Sequence, residues 1–144
     1  MTTQADPGVL AGHKINTLVG YAFGAIFILV GLAGFLVSGG HHAVGQSGGH
    51  LLGLFQVNVL HNVAHLALGA ILITAATAGN AVAKRANSVV GAVYLVLFVA
   101  GLFIIGTGLN IVALNAADNL LHLALGAALV GIGLAADRPG APTS

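Results

Sequence analysis

The chain has no cysteine, no tryptophan, three prolines and only seven charged residues among its 144, four Lys or Arg and three Asp or Glu. Without cysteine there is no disulfide, no thiolate metal ligand and no thiol nucleophile. A charged fraction of 5%, against roughly 25% in an ordinary soluble domain, leaves too few ionic side chains to cover a wetted surface. The formal net charge of +1 provides no basic patch for a phosphate backbone, which excludes nucleic acid as a partner. No serine nucleophile stands beside a base and no glycine-rich phosphate loop follows a strand, so the chain leans away from an enzyme, and an enzyme here would have to be metal-dependent.

What the chain does have is apolar length. Hydrophobic residues make up 58%, concentrated in four stretches near residues 16–37, 58–78, 87–109 and 115–136, each matching the roughly 20 residues that cross a bilayer. Each stretch begins at an asparagine, a side chain that accepts from the free N–H groups of a first helical turn, so Asn16, Asn58, Asn87 and Asn115 are expected N-caps. The predicted fold is all-α, a four-helix transmembrane bundle occupying residues 14–137 between disordered tails at 1–13 and 138–144. The first apolar run exceeds the roughly 7–15 residues of a secretory signal core and is expected to be retained. Lys14, Lys84, Arg85 and Arg138 all fall on one side of this arrangement. The positive-inside rule makes that side cytoplasmic, with both termini inside and a plasma-membrane location. The outer side then carries residues 38–57, a glycine-rich loop with His41, His42 and His50, expected to be mobile or tucked over the bundle, and a short turn at 110–114.

A block of thirteen residues at 58–70 returns, with substitutions, at 115–127. The Asn16-x-x-x-Gly20 start also echoes Asn87-x-x-x-Gly91, which suggests two tandem helical hairpins, a parallel internal repeat about an axis along the membrane normal. The block recurs after 57 residues and the asparagine start after 71, a difference of 14 assigned to the histidine-bearing outer loop. Within each copy, Asn58, Asn62, His65 and Gly69, and likewise Asn115, Asn119, His122 and Gly126, share one helix face. His61 and Asp118 precede the second histidine by one turn. Small and polar residues favour close contact between membrane helices, so the second and fourth spans are expected to meet along these stripes.

Ionisable groups in hydrocarbon are costly and mark function by default. If the stripes converge, His61, His65, Asp118 and His122 form a donor set for zinc, copper or another divalent ion, with Asn58, Asn62, Asn115 and Asn119 orienting the rings from behind. An aspartate in place of one histidine adds a negative charge that suits a dication. Haem held by His65 and His122 is the rival cofactor, with Gly69 and Gly126 one turn deeper making room for a porphyrin. Against both stand bland readings: Asp118, three residues after Asn115, completes a capping box, and His65 and His122 are buried hydrogen-bonded links between the halves. This structural or accessory role leads, with divalent-metal binding the alternative. The expected partners are membrane lipid and, beyond it, a second copy of the chain or a larger membrane complex.

At the doubled N-x-x-[HD]-N-x-x-H-L-A-L-G-A block, with Lys14-Ile15-Asn16 opening the first span, the chain resembles an actinobacterial family of small four-helix integral membrane proteins catalogued as a domain of unknown function. The likeness covers about residues 12 to 136. It implies the fold and the membrane location, and no activity.

Overall fold

The computed structural model describes residues 15–137. They form four long helices, α1 Ile15–Ser38, α2 Val59–Thr77, α3 Asn80–Ile104 and α4 Ala116–Ala135. A short antiparallel hairpin, β1 Gly49–Leu51 and β2 Phe55–Val57, lies between α1 and α2. All four helices are long and apolar enough to cross a membrane. The shortest has 19 residues and rises about 28 Å, close to the thickness of a hydrocarbon core. The chain is thus an all-α, multi-pass membrane protein. His13, Lys14, Arg138 and both tails lie outside the described residues.

The helices pack as two hairpins, α1 along α2 and α3 along α4, with further contacts from α1 and α2 to α3. Apolar side chains gain little from leaving lipid for one another, so the seams rely on close backbone approach at small residues. Gly24 of α1 lies against the Gly69 carbonyl of α2, and Gly31 against that of Asn62. Gly126 of α4 lies against the Gly91 carbonyl of α3. Phe27, Leu72, Val90, Tyr94 and Leu129 form the buried centre where the two hairpins meet. Leu18, Leu29 and Leu36 on α1 and Val89, Val96 and Leu102 on α3 point outward, the apolar exterior that a lipid solvent requires.

The third helix departs from the pattern expected of it. It starts at Asn80 behind the N-cap Gly79 and ends at Ile104, so Asn87 is an interior residue. Asn87 is fully buried and its amide donates to the carbonyl and to the Oδ1 of Asn16, both at 3.0 Å. Asn16 is the second residue of α1. These two asparagines hydrogen-bond α1 to α3; they are not helix caps. Lys84 and Arg85 lie in the second turn of α3 and do not form a loop. The Lys84 ammonium donates to the Ala136 carbonyl just beyond α4, where a cation complements the negative helix end.

The same end of the bundle is closed by Asp137. Its carboxylate accepts from the N–H groups of Ile15 and Asn16 and from the side-chain amides of Asn16 and Asn80, joining the end of α4 to the starts of α1 and α3. Burial alone would raise this carboxyl, but the donors from Asn16, Asn80 and Ile15 outweigh it and hold it at about 2, below the ordinary 3.8. A depressed folded value means that the stabilisation is complete above the unfolded value and disappears as pH falls through the folded one. Thermal melting of the wild type is therefore expected to drop between about pH 4 and pH 2. Asp137→Asn should melt lower than wild type at neutral pH and show a smaller drop over that window. Parallel melting curves for the two proteins across the window would remove this clasp from the account.

Candidate functional site

At the opposite end of the bundle, the two inter-helix segments lock together. Gly45 pairs with Val112 in an isolated parallel bridge, with the Gly45 N–H donating to the Ile111 carbonyl at 2.9 Å. The hairpin covers the bundle; His41, His42 and His50 are exposed on this covering layer. Asn110, buried in the second segment, holds a turn by donating to the Leu114 carbonyl and accepting its N–H, each at 2.8 Å.

Helices α2 and α4 begin at true asparagine caps. The Asn58 side chain accepts from the His61 N–H and that of Asn115 from the Asp118 N–H, each at 2.9 Å. Their amide nitrogens then cross to the other half of the molecule. Asn58 donates across to the Ile111 carbonyl at 2.9 Å and, within its own half, to that of Gly45, while Asn115 donates to the Leu54 carbonyl at 2.8 Å. One turn on, the exchange repeats with opposite polarity. The Nδ1–H of His61 donates to the Val112 carbonyl at 3.0 Å, whereas the Asp118 carboxylate accepts the Gln56 N–H at 3.0 Å. This explains the one ionisable mismatch between the two blocks. Position 61 faces a carbonyl and needs a donor; position 118 faces an N–H and needs an acceptor. The aspartate answers a backbone amide, and its second partner, the Asn115 N–H at 3.1 Å, completes the capping box.

Three imidazoles do come together. His61 and His65 stack with centroids 4.9 Å apart and Nε2 atoms at 3.1 Å, and His61 lies 6.1 Å from His122. Asp118 Oδ2 is taken up by its backbone partners, and among the described residues no group of three or more His, Asp, Glu or Cys is disposed to hold a metal ion. The depth expected to admit a porphyrin is filled instead. Phe27 meets His65 edge-on at 5.6 Å, Tyr94 meets His122 at 4.9 Å, and the two aromatic rings lie 5.3 Å apart. Gly69 and Gly126, expected to make that room, are used on the seams with α1 and α3.

The polar stripes also face differently from expectation. The backbones of α2 and α4 barely approach each other; each stripe is turned to its own hairpin partner. Asn62 sits against Gly34 and donates to Ser38 Oγ at 3.1 Å, and Asn119 sits against Gly101. A Cβ at either glycine would overlap the amide. The cause is geometric: only a glycine backbone lets an asparagine side chain lie flat in the seam. Like contacts therefore recur after 57 residues along α2 and α4 and after 67, from Gly34 to Gly101, along α1 and α3. The asparagine starts, 71 apart, mark a different relation. The signal that locates the true register is the pair Gly24-Ala25-Ile26-Phe27 and Gly91-Ala92-Val93-Tyr94, which also places the two aromatic rings that flank the imidazoles.

Two small cavities flank the imidazole group. One, of about 150 Å³, lies between α1 and α4 beneath the hairpin and is bounded by Phe27, Phe55, His65, Asp118, His122 and Leu125. The other, of about 110 Å³, lies between α2 and α3 and is bounded by His61, His65, Leu68, Tyr94, Val112 and His122.

One family model matches the chain, over residues 18–135, and its description is Domain of unknown function (DUF4383). No curated protein and no solved structure matches.

Proposed function

The chain belongs to the DUF4383 family, whose description assigns no activity, and on the geometry above we propose that it is an accessory protein of the plasma membrane whose imidazole and amide cluster clasps two duplicated hairpins together. The observation that carries this reading is the reciprocal exchange of side-chain hydrogen bonds, Asn58 and His61 to Ile111 and Val112, Asn115 and Asp118 to Leu54 and Gln56. Each half supplies the partners that the exposed backbone of the other lacks. A duplication supports it: both the recurring seams and the crossed caps relate α1–α2 to α3–α4. The end bearing Lys84 and Arg85 faces the cytoplasm, with both termini, under the positive-inside rule. The clasp faces outward. Its partners are lipid around the girdle and, through that same apolar surface, a second copy or a larger membrane assembly. A divalent ion on His61, His65, Asp118 and His122 is not favoured by this arrangement, since one carboxylate oxygen and the His61 Nδ1 are engaged with backbone.

The test is His61→Ala in detergent-solubilised protein. Truncation leaves the Val112 carbonyl and the His65 Nε2 without their partner, which is expected to lower unfolding stability by about 1–3 kcal/mol. His50→Ala, on the exposed face of the hairpin, should change it little. Equal stability of His61→Ala and wild type would overturn the clasp.

A further inference from the structure

An open groove of about 490 Å³ runs between α3 and α4 at the end of the bundle that Asp137 closes, bounded by Ala81, Lys84, Arg85, Ser88, Val89 and Leu134. Two of the four Lys and Arg residues of the chain therefore stand on one groove. Their charge is not neutralised locally. Of the two carboxylates among the described residues, Asp118 is at the opposite end, and Asp137 is taken up by Ile15, Asn16 and Asn80. Lys84 spends one ammonium proton on the Ala136 carbonyl at 3.1 Å and keeps two. The exposed Arg85 has no hydrogen-bond or ion-pair partner among the described residues, which leaves its whole planar fork for an oxyanion.

We propose that this groove holds the phosphate of an anionic phospholipid. Depth supports a lipid as the source: α3 has 25 residues and is about 37 Å long, more than the roughly 30 Å of a hydrocarbon core, so its first turns reach headgroup level. Lys84 and Arg85 are in the second of those turns. Val89 and Leu134, 62% and 60% exposed, continue the groove as an apolar wall along which acyl chains lie. A basic pocket between membrane helices is the recognised setting for an anionic headgroup, and a guanidinium meets a phosphate through two parallel bonds. A second groove at the same end, between α2 and α3, is of similar size, about 410 Å³, but is bounded by Ala70, Ile71, Thr74, Ala75, Ala78 and Val82. It has no charged group and provides an internal comparison.

The experiment is native mass spectrometry of the full chain released from maltoside micelles containing equal amounts of phosphatidylglycerol and phosphatidylcholine with the same acyl chains. The first lipid retained is expected to be phosphatidylglycerol, and Arg85→Gln should lower that preference about 5-fold, the share of one cation near an anionic surface. Ala81→Glu, a carboxylate on the rim of the basic groove, should abolish the preference. Val82→Glu, the same charge one residue on, at the uncharged groove, should leave it close to wild type. Positions 81, 82 and 85 are exposed, so these variants are expected to fold, and His61→Ala, at the other end, should retain the preference whatever becomes of the clasp. No preference in the wild type, an undiminished preference in Arg85→Gln, or equal losses in the two glutamate variants would overturn the site. So would displacement of the lipid by excess glycerol 3-phosphate, which would make it a site for a soluble phosphate.

Discussion

Gly34→Val and Gly101→Val are each expected to destabilise the protein by about 3 kcal/mol or more, the upper range for inserting side-chain volume into a packed contact. At both positions a Cβ would occupy the place of a buried asparagine amide, Asn62 against Gly34 and Asn119 against Gly101. The amide cannot simply swing aside. Asn62 is fully buried and its nitrogen is held by Ser38 Oγ, so displacement adds a lost hydrogen bond to the overlap. Widening the seam instead would part Gly24 from Gly69, and in the second hairpin Gly91 from Gly126. Gly131→Val is the control, because nothing lies within 4 Å of a Cβ built there; it should be close to neutral. Denaturation in mixed detergent micelles, followed by circular dichroism, measures all three. If Gly131→Val were as harmful as the seam variants, the cost would belong to the added side chain itself and not to the packing of the seam.

The second large effect separates two caps that look alike in sequence. Asn58→Ala removes an N-cap, typically worth about 1 kcal/mol, and also takes a side-chain donor from the carbonyls of Gly45 and Ile111, of which Ile111 keeps the Gly45 N–H. The lost cross-bonds add about 1 kcal/mol, for an expected loss near 2 kcal/mol. Asn115→Ala removes a cap of the same geometry, but its single amide bond to Leu54 is at the exposed rim, so the loss should be about 1 kcal/mol. Equal losses would mean that the crossed bonds of Asn58 contribute nothing beyond capping. The clasp between the halves would then rest on His61 and Asp118 alone.

Some of the site can be recognised from residue spacing. The doubled block marks Asn58 and Asn115 as caps because an asparagine before an apolar run has a local partner, the N–H three residues on, and local geometry is enough to define it. Asp118 as a capping-box acid follows by the same short-range logic. Asn16 and Asn87 have the same appearance and fail, since their partners are 71 residues apart and not three. The contribution of Asp137 to closing the bundle is invisible for a similar reason: nothing near it in the chain announces that Ile15, Asn16 and Asn80 will converge on it.

Composition and apolar length by themselves determined four membrane-length helices, the absence of thiol chemistry, and the pairing of neighbours into hairpins, because solvent and chain connectivity act on every residue alike. The tertiary structure alone decided which way the polar stripes turn. Glycines at 34 and 101 open a slot for Asn62 and Asn119 on the near partner, so the amides go there and the imidazoles are left to meet across the centre. It also decided why His61 and Asp118 differ. Each answers a backbone group of the opposite half, a carbonyl in one case and an N–H in the other, and the polarity of a distant peptide group is set only when the two halves fold against each other.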